Sequence, residues 1–168
     1  GFIMYTNDGG ITWSRSDSPD DNMITSITCK NDGTIFFSNT AGKIYKTSGN
    51  ADSWTWVTES YTDKDINSIA FITGEEGIAV GYDGLIIKTE MGGCDWDLVD
   101  LGVENNMTAI LYLSDEKVIV SATLGTFFIS EDAGDTWQSY EIATNESIKN
   151  MDFVNDSIGW AVGSNGIV

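Results

Sequence analysis

The segment Ser130-Glu131-Asp132-Ala133-Gly134-Asp135-Thr136-Trp137 has the pattern Ser/Thr-x-Asp-x-Gly-x-Thr-Trp, and the pattern stands intact a second time as Thr6-Asn7-Asp8-Gly9-Gly10-Ile11-Thr12-Trp13. Two degenerate copies lie between them at the same phase, Thr47 to Trp54 and Thr89 to Trp96, so the closing Trp recurs at positions 13, 54, 96 and 137. A period of about 41 residues belongs to propellers and solenoids, in which each repeat buries its apolar face only against its neighbours.

Aligning the repeats on the Trp exposes three more columns. Ile24 to Cys29, Ile66 to Phe71, Met107 to Tyr112 and Ile148 to Phe153 share apolar positions ending in a pair spaced by two, the period of a strand with one buried face. This strand, A, is expected to be innermost, and its column places Cys29 beside Phe71, Tyr112 and Phe153 as a small buried apolar group. A polar turn leads to strand B at 34–38, 77–81, 117–121 and 159–163. A tight turn ending in Gly42, Gly84, Gly125 or Gly166 leads to strand C at 43–46, 85–88 and 126–129. The aspartate turn then links C to strand D, which is expected to open at the Trp. Four short strands per repeat, with no helical period, predict an all-β fold: an arc of a β-propeller built from four-stranded antiparallel blades.

Both ends of the sequence fall inside a blade. Residues 1–18 supply strands C and D of one blade, 23–60, 65–101 and 106–142 give whole blades, and 147–168 supply A, B and the start of C. The phase predicts part of a larger propeller of about six to eight blades, completed by further chain or by another copy; Gly1 in place of a Met fits a piece of something longer.

Within the turn, the Asp carboxylate is placed to accept backbone N–H bonds, Gly10 and Gly134 permit the tight backbone, and Thr12 and Thr136 add a hydroxyl bond. Thr6 and Ser130 open the motif, and Trp13, Trp54, Trp96 and Trp137 are expected to bury their rings between blades. Recurrence in every blade reads as a structural fastener, since catalysis needs one privileged copy.

This pattern, with Gly159-Trp160-Ala161-Val162-Gly163 and its echo Gly77-Ile78-Ala79-Val80-Gly81, resembles the Asp-box (BNR-repeat) propellers, and most closely the Ycf48/Hcf136-like photosystem II assembly-factor family. The resemblance implies a propeller that holds a protein partner, in that family through a basic patch. The same repeat occurs in sialidases and other glycosidases, whose three-arginine grip on a carboxylate cannot be complete here because Arg15 is the only arginine.

Twenty-six acidic residues against eight Lys and Arg give a formal charge of −18, which argues against a basic patch, nucleic acid and anionic membrane surfaces; it is expected to keep an exposed β-surface soluble or to suit a salty milieu, and the alternative is a docking face for a basic partner or for cations. No apolar run is long enough to span a bilayer. The chain has no His, which removes Ser-His-Asp, Cys-His and His-metal chemistry from it, and no cofactor motif is present. Cys29 and Cys94 lie on different repeats and are not expected to pair. Paired carboxylates remain possible glycosidase groups, drawn from the loop acids Asp17, Asp20, Asp21, Glu75, Glu76, Asp115 and Glu116, and Trp56, Tyr61 or Tyr82 offer a stacking ring. Asp17, Asp20 and Asp21 form the densest oxygen cluster and are the weak calcium candidate, without EF-hand spacing. The expected function is a non-enzymatic interaction scaffold in an extracellular, periplasmic, envelope or virion setting; the alternative is a carbohydrate-binding or glycoside-hydrolysing propeller with active residues outside these 168.

Overall fold

The computed structural model describes residues 1–48, 55–56, 63–72 and 74–166. Trp54 and Tyr61 lie outside the described residues, as does the side chain of Trp56. β1 (Phe2–Tyr5) and β2 (Ser14–Asp17) form a two-stranded sheet. Three four-stranded sheets follow: β3 (Ile24–Cys29), β4 (Thr34–Asn39), β5 (Ile44–Ser48) and β6 (Thr55–Trp56); β7 (Ile66–Phe71), β8 (Gly77–Gly81), β9 (Ile86–Thr89) and β10 (Asp97–Leu98); β11 (Met107–Tyr112), β12 (Val118–Ala122), β13 (Thr126–Ser130) and β14 (Gln138–Glu141). A second two-stranded sheet pairs β15 (Ile148–Asn155) with β16 (Ile158–Gly163). Strands pair antiparallel in chain order within each sheet, which makes every whole sheet an A-B-C-D blade and the molecule an open propeller arc.

The core lies between the blades. Phe36 and Ile44 of one blade pack with Ile66, Ala79, Leu85, Ile87 and Trp96 of the next. Ile78, Val80 and Ile86 of that blade in turn meet Met107, Val118, Val120 and Phe128. The middle strands β8 and β12 are buried on both faces, which is why they read as unbroken apolar runs, whereas the outer strands β10 and β14 are exposed. The A strands β3, β7, β11 and β15 contact one another in succession, so they line the inner side of the arc. The Gly that opens β8 has a packing reason: Phe71, its cross-strand partner, lies over Gly77 so closely that an added Cβ would sit 2.6 Å from the ring.

Every A strand carries a register shift at the same place, between Ile24 and Ser26, Ile66 and Ser68, Met107 and Ala109, and Ile148 and Asn150. In the first two of these strands the polar side chain at the shift reaches the next blade, whereas Thr108 Oγ1 bonds Ser121 of its own blade. Thr25 donates to the Ile66 carbonyl, and Asn67 Nδ2 donates to the Met107 carbonyl at 2.6 Å. The adjoining hydroxyls of Ser26 and Ser68 accept the amides of Ile69 and Ile110 at 3.2 and 3.4 Å. Polar residues inside an apolar strand column are thus staples from one blade to the next.

Three expectations need correction. Trp13 is 56% exposed, whereas Trp96 is fully buried and Trp137 is half-buried. The cause is directional: Trp96 and Trp137 are covered by the blade before their own, and Trp13 lies on the first sheet, which no described blade precedes. Cys29 is exposed for the same reason, because its column faces the preceding blade; Ile27 on that strand is 52% exposed. Strand D opens one residue after the Trp, at Asp97 and Gln138, because the Trp itself still belongs to the turn.

Trp96→Ala is therefore expected to cost about 3–5 kcal/mol of unfolding free energy, by loss of a fully buried aromatic. Trp13→Ala is expected to cost under about 1 kcal/mol. Urea unfolding of both variants checks the difference, and equal losses would contradict the directional packing.

Candidate functional site

The two intact aspartate turns have the same geometry. Ser130 Oγ donates to Asp132 at 2.7 Å and accepts the amides of Asp132 and Gly134 at 3.2 and 2.8 Å. Asp132 accepts the Thr136 amide at 2.8 Å and its hydroxyl at 2.5 Å, and Trp137 Nε1 donates to the Gly134 carbonyl at 3.0 Å. In the first copy Thr6 donates to Asp8 at 2.8 Å and accepts the Gly10 amide at 2.9 Å. Asp8 accepts the Thr12 amide and hydroxyl at 2.9 and 2.6 Å, and Trp13 Nε1 donates to Gly10 at 3.1 Å. Bonds from the Thr12 and Thr136 hydroxyls, then from their amides, favour the carboxylate form and lower both Asp8 and Asp132 to about 2. Gly134 has φ +94°, and a Cβ there would meet Ile78 of the preceding blade at 2.5 Å, so the position requires glycine twice over.

The degenerate third turn shows which part of the motif the fold keeps. Met91 replaces the Asp, yet Thr89 Oγ1 accepts the Gly93 amide at 3.0 Å and the Met91 amide at 3.2 Å, as its counterparts do. Trp96 stays buried, but its Nε1 has no partner, and Asp95 Oδ1 accepts the Trp96 amide at 3.0 Å. The hydroxyl at the first position and the Trp at the last outlast the carboxylate.

Sequence reading missed a latch between blades. Lys88 lies at the end of strand C, is 8% exposed, and pairs with Glu90 at 3.1 Å and with Asp135 in the next blade's turn. Burial alone would depress its ammonium, but bonds to Asp135 and Glu90 outweigh that and hold it above the usual lysine value. One repeat earlier, Lys46 Nζ donates to Cys94 Sγ at 3.4 Å. Lysine recurs at the repeat distance, at 46 and 88, but the residue two before the next turn's Trp changes from Cys94 to Asp135, so the partner is not marked in sequence.

The calcium candidates do not form a cluster. Asp17 pairs with Arg15 at 2.7 Å, and Asp20 accepts from Tyr45 at 2.8 Å, Asn39 at 3.1 Å and Lys43 at 3.3 Å. Desolvation pushes the Asp20 carboxyl up, but the Tyr45, Asn22 and Lys43 bonds overcome it and leave it below the usual carboxylate value. Asp21 is exposed, and among the described residues no group of three or more acids or cysteines is placed to hold a metal. The meander also separates the loop acids. A–B and C–D turns lie at one end of the blades, with Glu75, Glu76, Asp115 and Glu116. B–C turns and D–A connections lie at the other, with Asp17, Asp20 and Asp21.

That second end carries an apolar set. Met23 is 66% exposed, Leu124 58%, Ile142 45% and Tyr82 44%. Met23 and Tyr82 border a cavity of about 530 Å³ whose wall includes Thr25, Asn67, Thr108 and Lys149 from the A strands. Asp21, Asp83, Asp100, Glu104 and Glu141 stand exposed at this end. Leu124 holds φ +60° in a B–C turn where the equivalent residues are Asp83 and Asn165.

No protein-family model matches the chain and no curated protein matches its sequence. Solved structures do match in fold. YCF48 from Cyanidioschyzon merolae superposes with a TM-score of 0.77 at 18% identity over 99% of this chain, which spans 62% of that structure's length. YCF48 bound to D1 peptide gives 0.56 at 16% identity, over 98% of this chain and 69% of that one. An ancestral GH74 enzyme gives 0.70 at 18% identity, over 90% of this chain and 23% of that one. These likenesses show the fold, a β-propeller.

Because Asp8 and Asp132 are depressed to about 2 from 3.8, the stability they contribute is complete above about pH 4 and is lost as pH falls through about 2. Wild-type urea midpoints are expected to fall across that window, and Asp132→Asn is expected to flatten the fall. A slope unchanged by the substitution counts against the turn carboxylate as its source.

Proposed function

We propose that the chain is a non-enzymatic interaction module: a rigid propeller arc that presents its B–C end to a basic, apolar-bearing polypeptide, in an extracellular, envelope or virion setting. Leu124 carries this reading. A leucine in the left-handed region costs about 1–2 kcal/mol relative to ordinary backbone, and this one spends its side chain on solvent. Strained, exposed apolar groups concentrate where a surface is used. The carboxylates standing with it supply the charge that would steer a basic partner. The protein complex formed by a structural neighbour, YCF48 with D1 peptide, supports the same class of role.

A second reading is favoured by the likeness to the ancestral GH74 enzyme: the cavity beside Tyr82 binds a glycan, with reacting groups outside these residues. A glycan array and a hydrolysis assay separate the two; sugar binding or turnover would displace the first reading.

A labelled peptide of alternating Lys and Leu serves as the probe. It is expected to bind with a salt-sensitive affinity that Leu124→Asp or Tyr82→Ala lowers at least about 10-fold. Leu124→Gly is expected to raise stability by about 1 kcal/mol while also weakening the probe. Binding that ignores these substitutions places the docking surface elsewhere.

A further inference from the structure

We propose that the cavity between the blade β3–β6 and the blade β7–β10, at the C–D end, binds a small organic carboxylate on the ammonium of Lys46. Both of its walls belong to whole blades, and it lies at the opposite end of the blades from Leu124 and Tyr82.

The cavity encloses about 460 Å³, a volume suited to a small molecule, and its lining includes Lys30, Thr34, Lys46, Thr55, Met91 and Cys94. Among the described residues Glu75 is the one acid that lines it. The next pair of blades shows the same place in another state, and the backbone fixes which residues correspond. The Lys30 and Ile72 amides donate to the Thr34 and Glu76 carbonyls in successive A–B turns, and the Gly92 and Ala133 amides donate to the Glu75 and Glu116 carbonyls. Lys46 faces Thr55 across the sheet as Lys88 faces Asp97. The turns that open at Thr89 and Ser130 align Met91 with Asp132 and Cys94 with Asp135.

Between the second and third whole blades, one lysine, Lys88, therefore has five acids at these places: Glu76, Asp97, Glu116, Asp132 and Asp135. Around the cavity, four of those places hold Thr34, Thr55, Met91 and Cys94, and Ile72 is matched by a second lysine, Lys30. A chain of net charge −18 thus carries a local excess of ammonium over carboxylate here. Lys88 takes its carboxylates from Asp135 and Glu90. The residues at those two places beside Lys46 are Cys94 and Ser48, neither of them an acid. Lys46 Nζ is left with the Cys94 thiol at 3.4 Å, and among the described residues no carboxylate is in ion-pair contact with it.

Lys30 is fixed at the wall. Its side chain is 8% exposed, and its ammonium stands 5.6 Å from the centre of the Phe71 ring and 3.4 Å from Asp32, which also accepts the Thr34 amide at 2.8 Å. A carboxylate entering from solvent gives Lys46 the partner that Lys88 finds within the chain, under the added positive potential of Lys30. The Thr34 and Thr55 hydroxyls offer further donors, and Met91 offers an apolar surface to a short carbon chain.

Cys94 lines the cavity and serves as the reporter. Iodoacetate carries a carboxylate, iodoacetamide is its neutral counterpart, and both alkylate thiols. Peptide mass mapping follows Cys94 in the full chain at physiological ionic strength, and the ratio of the two rates cancels the reactivity of the thiol itself. That ratio is expected to be at least about 10-fold higher in the folded chain than for the same thiol in the urea-unfolded chain. Lys46→Gln is expected to remove the excess with circular dichroism unchanged, and Lys46→Arg to keep it. Glutarate, the unreactive probe, is expected to protect Cys94 from iodoacetate with a half-effect on the order of 1 mM, and inorganic phosphate at the same concentration is not. Cys94→Asp, which copies Asp135, is expected to abolish the heat of glutarate binding measured with wild type. Equal ratios in the folded and unfolded chain, an excess that survives Lys46→Gln, or no protection by glutarate overturns the proposal. So does protection by phosphate equal to that by glutarate, or a glutarate heat retained in Cys94→Asp.

Discussion

The structure depends on contact between successive blades, because no sheet of four short strands can bury its own faces. Phe36, Ile78, Trp96 and Val118 are buried only by virtue of a neighbour in the ring. The hydrophobic term is therefore shared between repeats, and each repeat spends its distinctive residues on reaching the next: Thr25 and Asn67 toward carbonyls, Ser26 and Ser68 toward amides, Lys88 toward Asp135. Trp13 shows the counter-case, a complete aspartate turn with every hydrogen bond made and no covering blade.

The turn motif takes a different meaning in this light. A carboxylate that accepts from Thr136 and Ser130 tightens the C–D turn locally, but Met91 in the third copy shows the turn closing without it. What every described copy retains is a first-position hydroxyl accepting a Gly amide and a Trp at the strand entrance. The carboxylate refines a turn that the hydroxyl and the ring already define; the third copy, which lacks it, leaves Trp96 Nε1 without a partner.

Periodicity made the fold legible, since recurrence at the repeat distance overrides weak local signals such as the two-residue strand Asp97–Leu98. The innermost place of strand A could be read from Ile66, Ile69 and their equivalents. Cys29 and Trp13 could not be placed, because a column reports what a position faces in a whole ring and says nothing about whether that neighbour is present. Lys88 and Asp135 stayed hidden because each is an ordinary charge in its own repeat and only geometry across two blades joins them. The calcium candidates failed to cluster for a related reason: Asp20 is neutralised by Tyr45, Asn39 and Lys43, all distant in sequence.

Where neighbouring blades cover each other's faces, the described residues meet solvent at the two ends of the blades, and these ends differ in kind. At the C–D end, the recurring turns tie up their own polar groups, as Asp8 and Asp132 do with threonine and serine. At the B–C end, equivalent positions diverge: one left-handed site holds Asp83, Leu124 and Asn165 in successive blades. Asp and Asn suit that backbone and Leu does not. A fold under selection for turn geometry alone would fill the site with the first two, so the residue that opposes the turn is the one whose presence needs a purpose outside it.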